Sequence, residues 1–252
     1  MRARPGPGSM SRMRFLRSLA AWTVIALATA IFGIPSIFAA FIPPRGDWYL
    51  LFARGWARTL LVATGVRLTV SGREKAQAAG PCIYFANHES FYDILVLFAV
   101  LPGRVRFLAK QSLFWIPVLG WSMWAAGFIP IDRENRRKAA ASLDRAAARL
   151  RGGKSVIVFP EQTRTRTGQM LPFKKGGVRM ALKTKLPIVP IGIAGTFPIV
   201  QKGSFFLTPG PAAVAIGDPI ATAGRTVADR NAILAECREA ITKLREEAKA
   251  RL

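Results

Sequence analysis

The chain carries a single histidine in 252 residues, His88, and an aspartate stands five positions later at Asp93, within "CIYFANHESFYDILVLF". An imidazole beside a carboxylate is suited to moving a proton near neutral pH. The carboxylate accepts from Nδ1–H, fixes the tautomer and stabilises the imidazolium, while Nε2 takes a proton from an alcohol. The spacing restricts where such a pair can sit. Five residues turn an α-helix through about 500°, so on one continuous helix the two side chains would point about 140° apart. They must straddle a helix start. The residue order agrees: an apolar strand over Cys82–Ala86, a polar turn over Asn87–Ser90, then a helix with Asp93 in its first turn and Ser90 as its N-cap. His88 then lies at the end of a strand, where α/β sheets place ligands. A structural histidine at a helix start would satisfy the same spacing, so the pair alone leaves both readings open.

The elements that must hold this pair can be read from Val66 onward. Short β-branched runs alternate with helical stretches: "VRLTV", "CIYFA", "VRFLA", "GFIPI", "SVIVFP", "IVPIGI" and "AAVAIG". Such alternation predicts an α/β fold, with a mixed, largely parallel sheet flanked by helices. Several runs are apolar throughout, as strands buried on both faces should be. Helices are expected over Phe91–Leu101, about Asn135–Arg151 and Val178–Lys185. The closing segment from Thr226 puts Ile233, Leu234, Cys237, Ile241 and Leu244 on one helical face, which predicts a structural cover helix.

Composition points to the surroundings. Lys and Arg number 37 against 14 Asp and Glu, a net charge of +23, which favours an anionic membrane surface or nucleic acid as partner. A 51% hydrophobic share and a mean hydropathy of +0.24 favour the membrane and argue against nucleic acid. Cys82 and Cys237 form no C-x-x-C or Cys/His cluster, so no disulfide framework or metal site is expected, and a reducing cytoplasm fits.

Residues 19–42 carry no charge and could reach across a hydrocarbon core about 30 Å thick. Gly33 and Pro35 interrupt them. Arg2, Arg4, Arg12, Arg14 and Arg17 precede the segment, and Arg45, Arg54 and Arg58 follow it. Basic residues on both sides predict that both ends stay cytoplasmic, so a bent, half-inserted anchor or shallow hairpin is expected instead of a full span. Residues 47–63 read either as an interfacial amphipathic helix or as a helix packed on the domain. The expected division is an anchoring segment at 1–64 and a catalytic domain at 65–252, on the cytoplasmic face of the inner membrane.

"NHESFYD" resembles the N-H-x4-D block of the glycerolipid acyltransferase superfamily, whose bacterial members include 1-acyl-sn-glycerol-3-phosphate acyltransferases. "GFIPIDR" (127–133), "FPEQTRTRTG" (159–168) and "IVPIGI" (188–193) resemble the remaining three blocks, in the same order. The likeness runs from about Val66 to Ile220. It implies direct acyl transfer, without an acyl-enzyme, metal or prosthetic group, from acyl-CoA or acyl-carrier protein to the sn-2 hydroxyl of lysophosphatidic acid. Another lysolipid acceptor, such as a lyso-ornithine lipid, is the alternative; a non-catalytic basic binding protein is a remote one. His88 and Asp93 would be catalytic. The resemblance assigns Glu161 and Arg164 to acceptor binding; Arg133, Lys174, Asn87 and Thr163 join them as substrate-binding candidates. An arginine suits a phosphate because its planar fork binds two oxygens. Gln162 departs from the family's usual glycine. Trp115, Trp121 and Trp124, with Phe114 and Leu119, form an apolar run that would line an acyl-chain tunnel, anchor at the interface or belong to the core.

Overall fold

Each of the seven apolar runs forms a strand. The computed structural model describes residues 7–43, 47–132, 136–150 and 153–252. The strands are β1 (Arg67–Ser71), β2 (Ile83–Ala86), β3 (Val105–Lys110), β4 (Ile129–Ile131), β5 (Ser155–Val158), β6 (Ile188–Ala194) and β7 (Pro211–Ile216). They make one sheet in the order β1-β7-β6-β2-β5-β3-β4, parallel throughout except for the antiparallel β6/β7 pair. Tyr84 of β2 stands opposite Ile157 of β5 on one side and Val189 of β6 on the other. These three central strands are buried along their whole length, as their uninterrupted apolar sequences require.

Helices cover both faces. They are α1 (Pro7–Ala39), α2 (Tyr49–Ala63), α3 (Arg73–Ala78), α4 (Tyr92–Val100), α5 (Leu119–Ala125), α6 (Arg136–Arg149), α7 (Gly176–Thr184) and α8 (Arg230–Lys249). Alternate strand residues divide between two cores. Tyr84 and Ala86 pack with α1, α2 and α4, whereas Ile83 and Phe85 face α6, α7 and α8. The closing helix is the expected cover, packed on β6 and entered through a 3-10 turn, Val227–Asp229, that Thr226 caps.

The N-terminal segment differs from its sequence reading. Helix α1 runs unbroken through Gly33 and Pro35 for 33 residues, about 50 Å. Pro35 removes only one backbone donor near the helix end, and the Ser36 hydroxyl donates to the Gly33 carbonyl at 2.7 Å. Gly33 marks a close approach, not a break: a Cβ there would lie 2.6 Å from Val118 Cγ1. Helix α2 is the packed alternative. Tyr49, Ala53, Trp56 and Leu60 are buried against α1 and α4, and Arg54 donates to the carbonyls of Leu101 and Gly103 at 3.0 and 2.9 Å. The stretch Ser11–Ala39 is long and apolar enough to cross a membrane, and only 17% of its most apolar window is buried. Leu27, Ile31 and Phe38 remain exposed, as in a membrane-associated segment. Trp115, Trp121 and Trp124 are 80%, 58% and 76% exposed, which rules out the core for them, whereas Leu119 of the same run lines an apolar cavity.

Gly192 allows α8 to seat directly on β6, since a Cβ at that position would run into the backbone of Leu244 and Arg245. Gly192→Ala should therefore lower unfolding stability by about 1 to 3 kcal/mol. Gly210→Ala, with open space around it, serves as the near-neutral control in the same thermal unfolding series in detergent.

Candidate active site

The loop after β2 carries His88, and Asp93 follows in the first turn of α4. The two meet as the spacing requires: His88 Nδ1 lies 2.8 Å from Asp93 Oδ2. The same oxygen accepts from the backbone N–H of Glu89 (2.6 Å) and Ser90 (2.9 Å). Oδ1 accepts from Thr196 Oγ1, beyond the end of β6, at 2.5 Å. Asp93, and not Ser90, thus satisfies the orphan donors ahead of the helix; the Ser90 hydroxyl donates instead to the Val200 carbonyl at 2.7 Å. The imidazole stacks on Phe159, with ring centroids 3.9 Å apart and planes 11° from parallel. Held between this ring contact and the Asp93 bond, the only histidine has one orientation.

Asn87 and Glu161, both substrate-binding candidates by sequence, are buried and use their polar atoms on the protein itself. Asn87 Oδ1 accepts from Ile193 N at 2.7 Å, and its Nδ2 donates to the Ile193 carbonyl at 2.9 Å. Glu161 Oε1 accepts from His88 N at 2.7 Å and Oε2 from Leu171 N at 2.6 Å. It ties the β5 loop to the β2 loop. Glu89 accepts from Arg245 Nε at 2.6 Å, and Arg245 also donates to the Gly168 carbonyl at 2.7 Å. Helix α8 is therefore more than a cover, although nothing in its periodicity marks Arg245 as the residue that reaches two of the loops.

Beside His88 opens a cavity of about 420 Å³. His88, Thr163, Arg164 and Lys202 line it together with apolar side chains that include Phe32 of α1, Trp56 of α2 and Phe98 of α4. Arg164 is half-buried, and burial pushes its guanidinium below the usual value while Asp93 opposes the shift. A desolvated cation on a cavity wall is stabilised by an incoming anion. Lys202 is absent from the sequence-based candidates: it stands in the loop after β6, in "TFPIVQKG", with no motif to mark it. Its Nζ donates to Thr163 Oγ1 at 2.7 Å. Lys174 is exposed and does not line the cavity, although its backbone N–H donates to the Pro160 carbonyl at 2.8 Å. Arg133 lies outside the described residues. Gln162 adopts φ +62°, the left-handed region that favours the glycine usual at this position.

A family model described as Acyltransferase matches residues 67–194, which hold the His–Asp pair, Glu161 and Arg164. The chain belongs to the acyltransferase family. Among the relatives of this acyltransferase, the chloroplastic 1-acyl-sn-glycerol-3-phosphate acyltransferase BAT2 of Brassica napus is 34% identical over 199 residues, covering 78% of this chain and 57% of the relative. The human 1-acyl-sn-glycerol-3-phosphate acyltransferase beta is 32% identical over 189 residues, covering 74% and 68%. The matches span 57%, 63% and 56% of the lengths of the Brassica, Caenorhabditis elegans and Cocos nucifera relatives. The crystal structure of the 1-acyl-sn-glycerophosphate (LPA) acyltransferase PlsC from Thermotoga maritima superposes with a TM-score of 0.82 at 25% identity, over 96% of this chain and 98% of the other.

The Glu161 tie has a pH signature. Burial pushes its carboxyl up to about 7 from an ordinary 4.5; the Leu171 and His88 backbone N–H groups oppose the shift, and Asp93 and Glu89 add to it. A carboxyl with a raised folded-state pKa takes up a proton on folding. Its contribution to stability is therefore greatest below about 4.5 and declines as pH rises to about 7. Thermal unfolding between pH 4.5 and 8 should show the wild type losing stability relative to Glu161→Gln as pH rises. A wild type that gains on the variant over that interval would contradict the raised value.

Proposed function

We propose that the acyltransferase moves a fatty acyl group from a thioester of coenzyme A or acyl-carrier protein to the sn-2 hydroxyl of lysophosphatidic acid, producing phosphatidic acid. The observation that carries this reading is the buried His88–Asp93 pair opening, together with Arg164, onto one largely apolar cavity. His88 Nε2 removes the hydroxyl proton as the oxygen attacks the thioester carbonyl carbon, and Asp93 stabilises the imidazolium. The tetrahedral adduct then collapses, the carbon–sulfur bond breaks, and the imidazolium returns the proton to the departing thiolate. Arg164 grips the acceptor phosphate through its fork. Neither cysteine suits a covalent route, because burial pushes both thiols up, Cys82 to about 11 and Cys237 to about 12. The names of the relatives and of the structural neighbour support this choice of acceptor.

The test is acyl transfer by purified protein to lysophosphatidic acid, a lyso-ornithine lipid and monoacylglycerol. His88→Ala should lower kcat by on the order of 100-fold or more, with membrane binding retained. Asp93→Asn should be strongly impaired too, since an amide offers one acceptor atom where two oxygens receive four hydrogen bonds. Arg164→Ala should cost roughly 10- to 150-fold in kcat/KM on lysophosphatidic acid and little on phosphate-free monoacylglycerol, with Arg164→Lys a poor rescue. Equal losses on both acceptors would move Arg164 to the fold or to the donor.

Residues 1–64 serve as the anchoring segment and 65–252 as the catalytic domain, which faces the cytoplasm on the inner membrane. Contacts along α1 support an arrangement in the plane of one leaflet. Leu207 N donates to Ser18 Oγ (3.0 Å), Trp22 Nε1 donates to the Phe205 carbonyl (2.8 Å), and Gly33 lies against Val118. A helix held to the domain from Ser18 to Gly33 cannot cross the bilayer without drawing the domain in with it. Single cysteines at Ser11 and Ile42, on a background with Cys82 and Cys237 replaced by alanine, should both label from the cytoplasmic side with an impermeant maleimide. Labelling at 42 from the opposite side alone would establish a crossing.

A further inference from the structure

We propose that Lys202 is a second head-group residue that gives the site its preference for an acceptor bearing a phosphate monoester; this deepens, and rests on, the lysophospholipid reading above. Lys202 lines the same cavity as His88 and Arg164, and its Nζ is drawn to Thr163 Oγ1 at 2.7 Å, one residue before Arg164 in the chain. Lys110 lines the cavity as well, so its largely apolar wall carries three cations. Such a concentration of positive charge is matched by a doubly charged anion. A phosphate monoester carries close to two negative charges near neutral pH, because its second pKa lies at about 6. A phosphodiester head group carries one and gains less from the second cation.

The position of Lys202 is set from both sides. Two residues earlier, the Val200 carbonyl accepts from Ser90 Oγ at 2.7 Å, which fixes the loop to the segment carrying His88. Three residues later, the Phe205 carbonyl accepts from Trp22 Nε1 at 2.8 Å, and the Phe205 ring lies beside that of Phe15 with centroids 5.5 Å apart. Ile199, Val200 and Leu207 are buried. The ammonium is therefore delivered to the cavity by a loop pinned at the catalytic pair and at α1, an arrangement that lowers the cost of ordering a long side chain around its ligand. Phe205 and Phe206 are about two-fifths exposed beside this lysine. They place it where a lipid head group would lie.

The experiment compares wild type, Lys202→Met and Lys202→Arg as full-length protein in detergent micelles. The acceptors are lysophosphatidic acid, a monoester, and lysophosphatidylglycerol, a diester. Lys202→Met should lose on the order of 10- to 100-fold in kcat/KM on the monoester and no more than about 3-fold on the diester, while Lys202→Arg keeps most of the preference. The thermal midpoint of each variant, with and without sn-glycerol 3-phosphate, supplies a readout that needs no turnover. Wild type should show an upshift that Lys202→Met loses. An equal loss on both acceptors, or an upshift absent from wild type or undiminished in Lys202→Met, would overturn the assignment. A wild type inactive on lysophosphatidic acid that still shows the upshift, lost in Lys202→Met, would sink the acceptor reading and leave the anion site standing.

Discussion

A carboxylate with no exposed surface, Asp93, receives four hydrogen bonds from two stretches of chain far apart in sequence, and the rest of the site is arranged around meeting that demand. A buried carboxylate without partners costs several kcal/mol, so its donors must arrive together or the fold does not close. Two are backbone N–H groups of the loop after β2, one is the His88 ring, and one is Thr196 after β6. For these to converge, β2 and β6 must be parallel neighbours that end at the same edge, and they are. The neighbouring strand β5 brings Phe159 over the imidazole from the same edge. The tautomer and orientation of the histidine are thus consequences of strand order.

The charges in the chain divide by role. Of only 14 acidic residues, Glu89, Asp93 and Glu161 are buried within this one region, each spent on backbone N–H groups, the imidazole or Arg245. Acids hold the loops in place, while Lys110, Arg164 and Lys202 line the cavity. Such a polar network is favourable only when every member is satisfied, and here both carboxylate oxygens of Glu161 and both amide atoms of Asn87 have partners. The division separates two tasks: the cavity-lining cations are placed to meet a ligand, whereas the buried acids are held by donors within the fold.

Much of this architecture is legible in the residue order. The strands are visible because buried parallel strands need uninterrupted apolar runs, and the junction of His88 and Asp93 follows from helical geometry alone. Three features are not. Lys202 and Arg245 act through contacts separated by 39 and 156 residues, which no local pattern encodes. Pro35 reads as a break because an isolated helix would suffer there; packing of α1 on α2 and α5 outweighs the single missing hydrogen bond. The exposure of the three tryptophans is equally hidden, since apolar composition alone does not distinguish a core from a surface that meets lipid.

Gln162 shows how far a local rule can be broken without altering the chemistry next to it. Its φ of +62° costs roughly 1 to 2 kcal/mol for a residue with a side chain. Glycine would avoid that cost but would lose more conformational entropy on folding, which returns much of the difference. The turn holds because it is fixed on both sides. Glu161 is clamped by two backbone N–H groups, Gln162 N donates to the Phe159 carbonyl at 2.9 Å, and Thr165 N donates to the His88 carbonyl at 3.0 Å. Backbone strain persists where its surroundings over-determine the conformation. Here those surroundings are the same bonds that bring Arg164 to the cavity, so the strained residue and the substrate-facing arginine are held by one set of restraints.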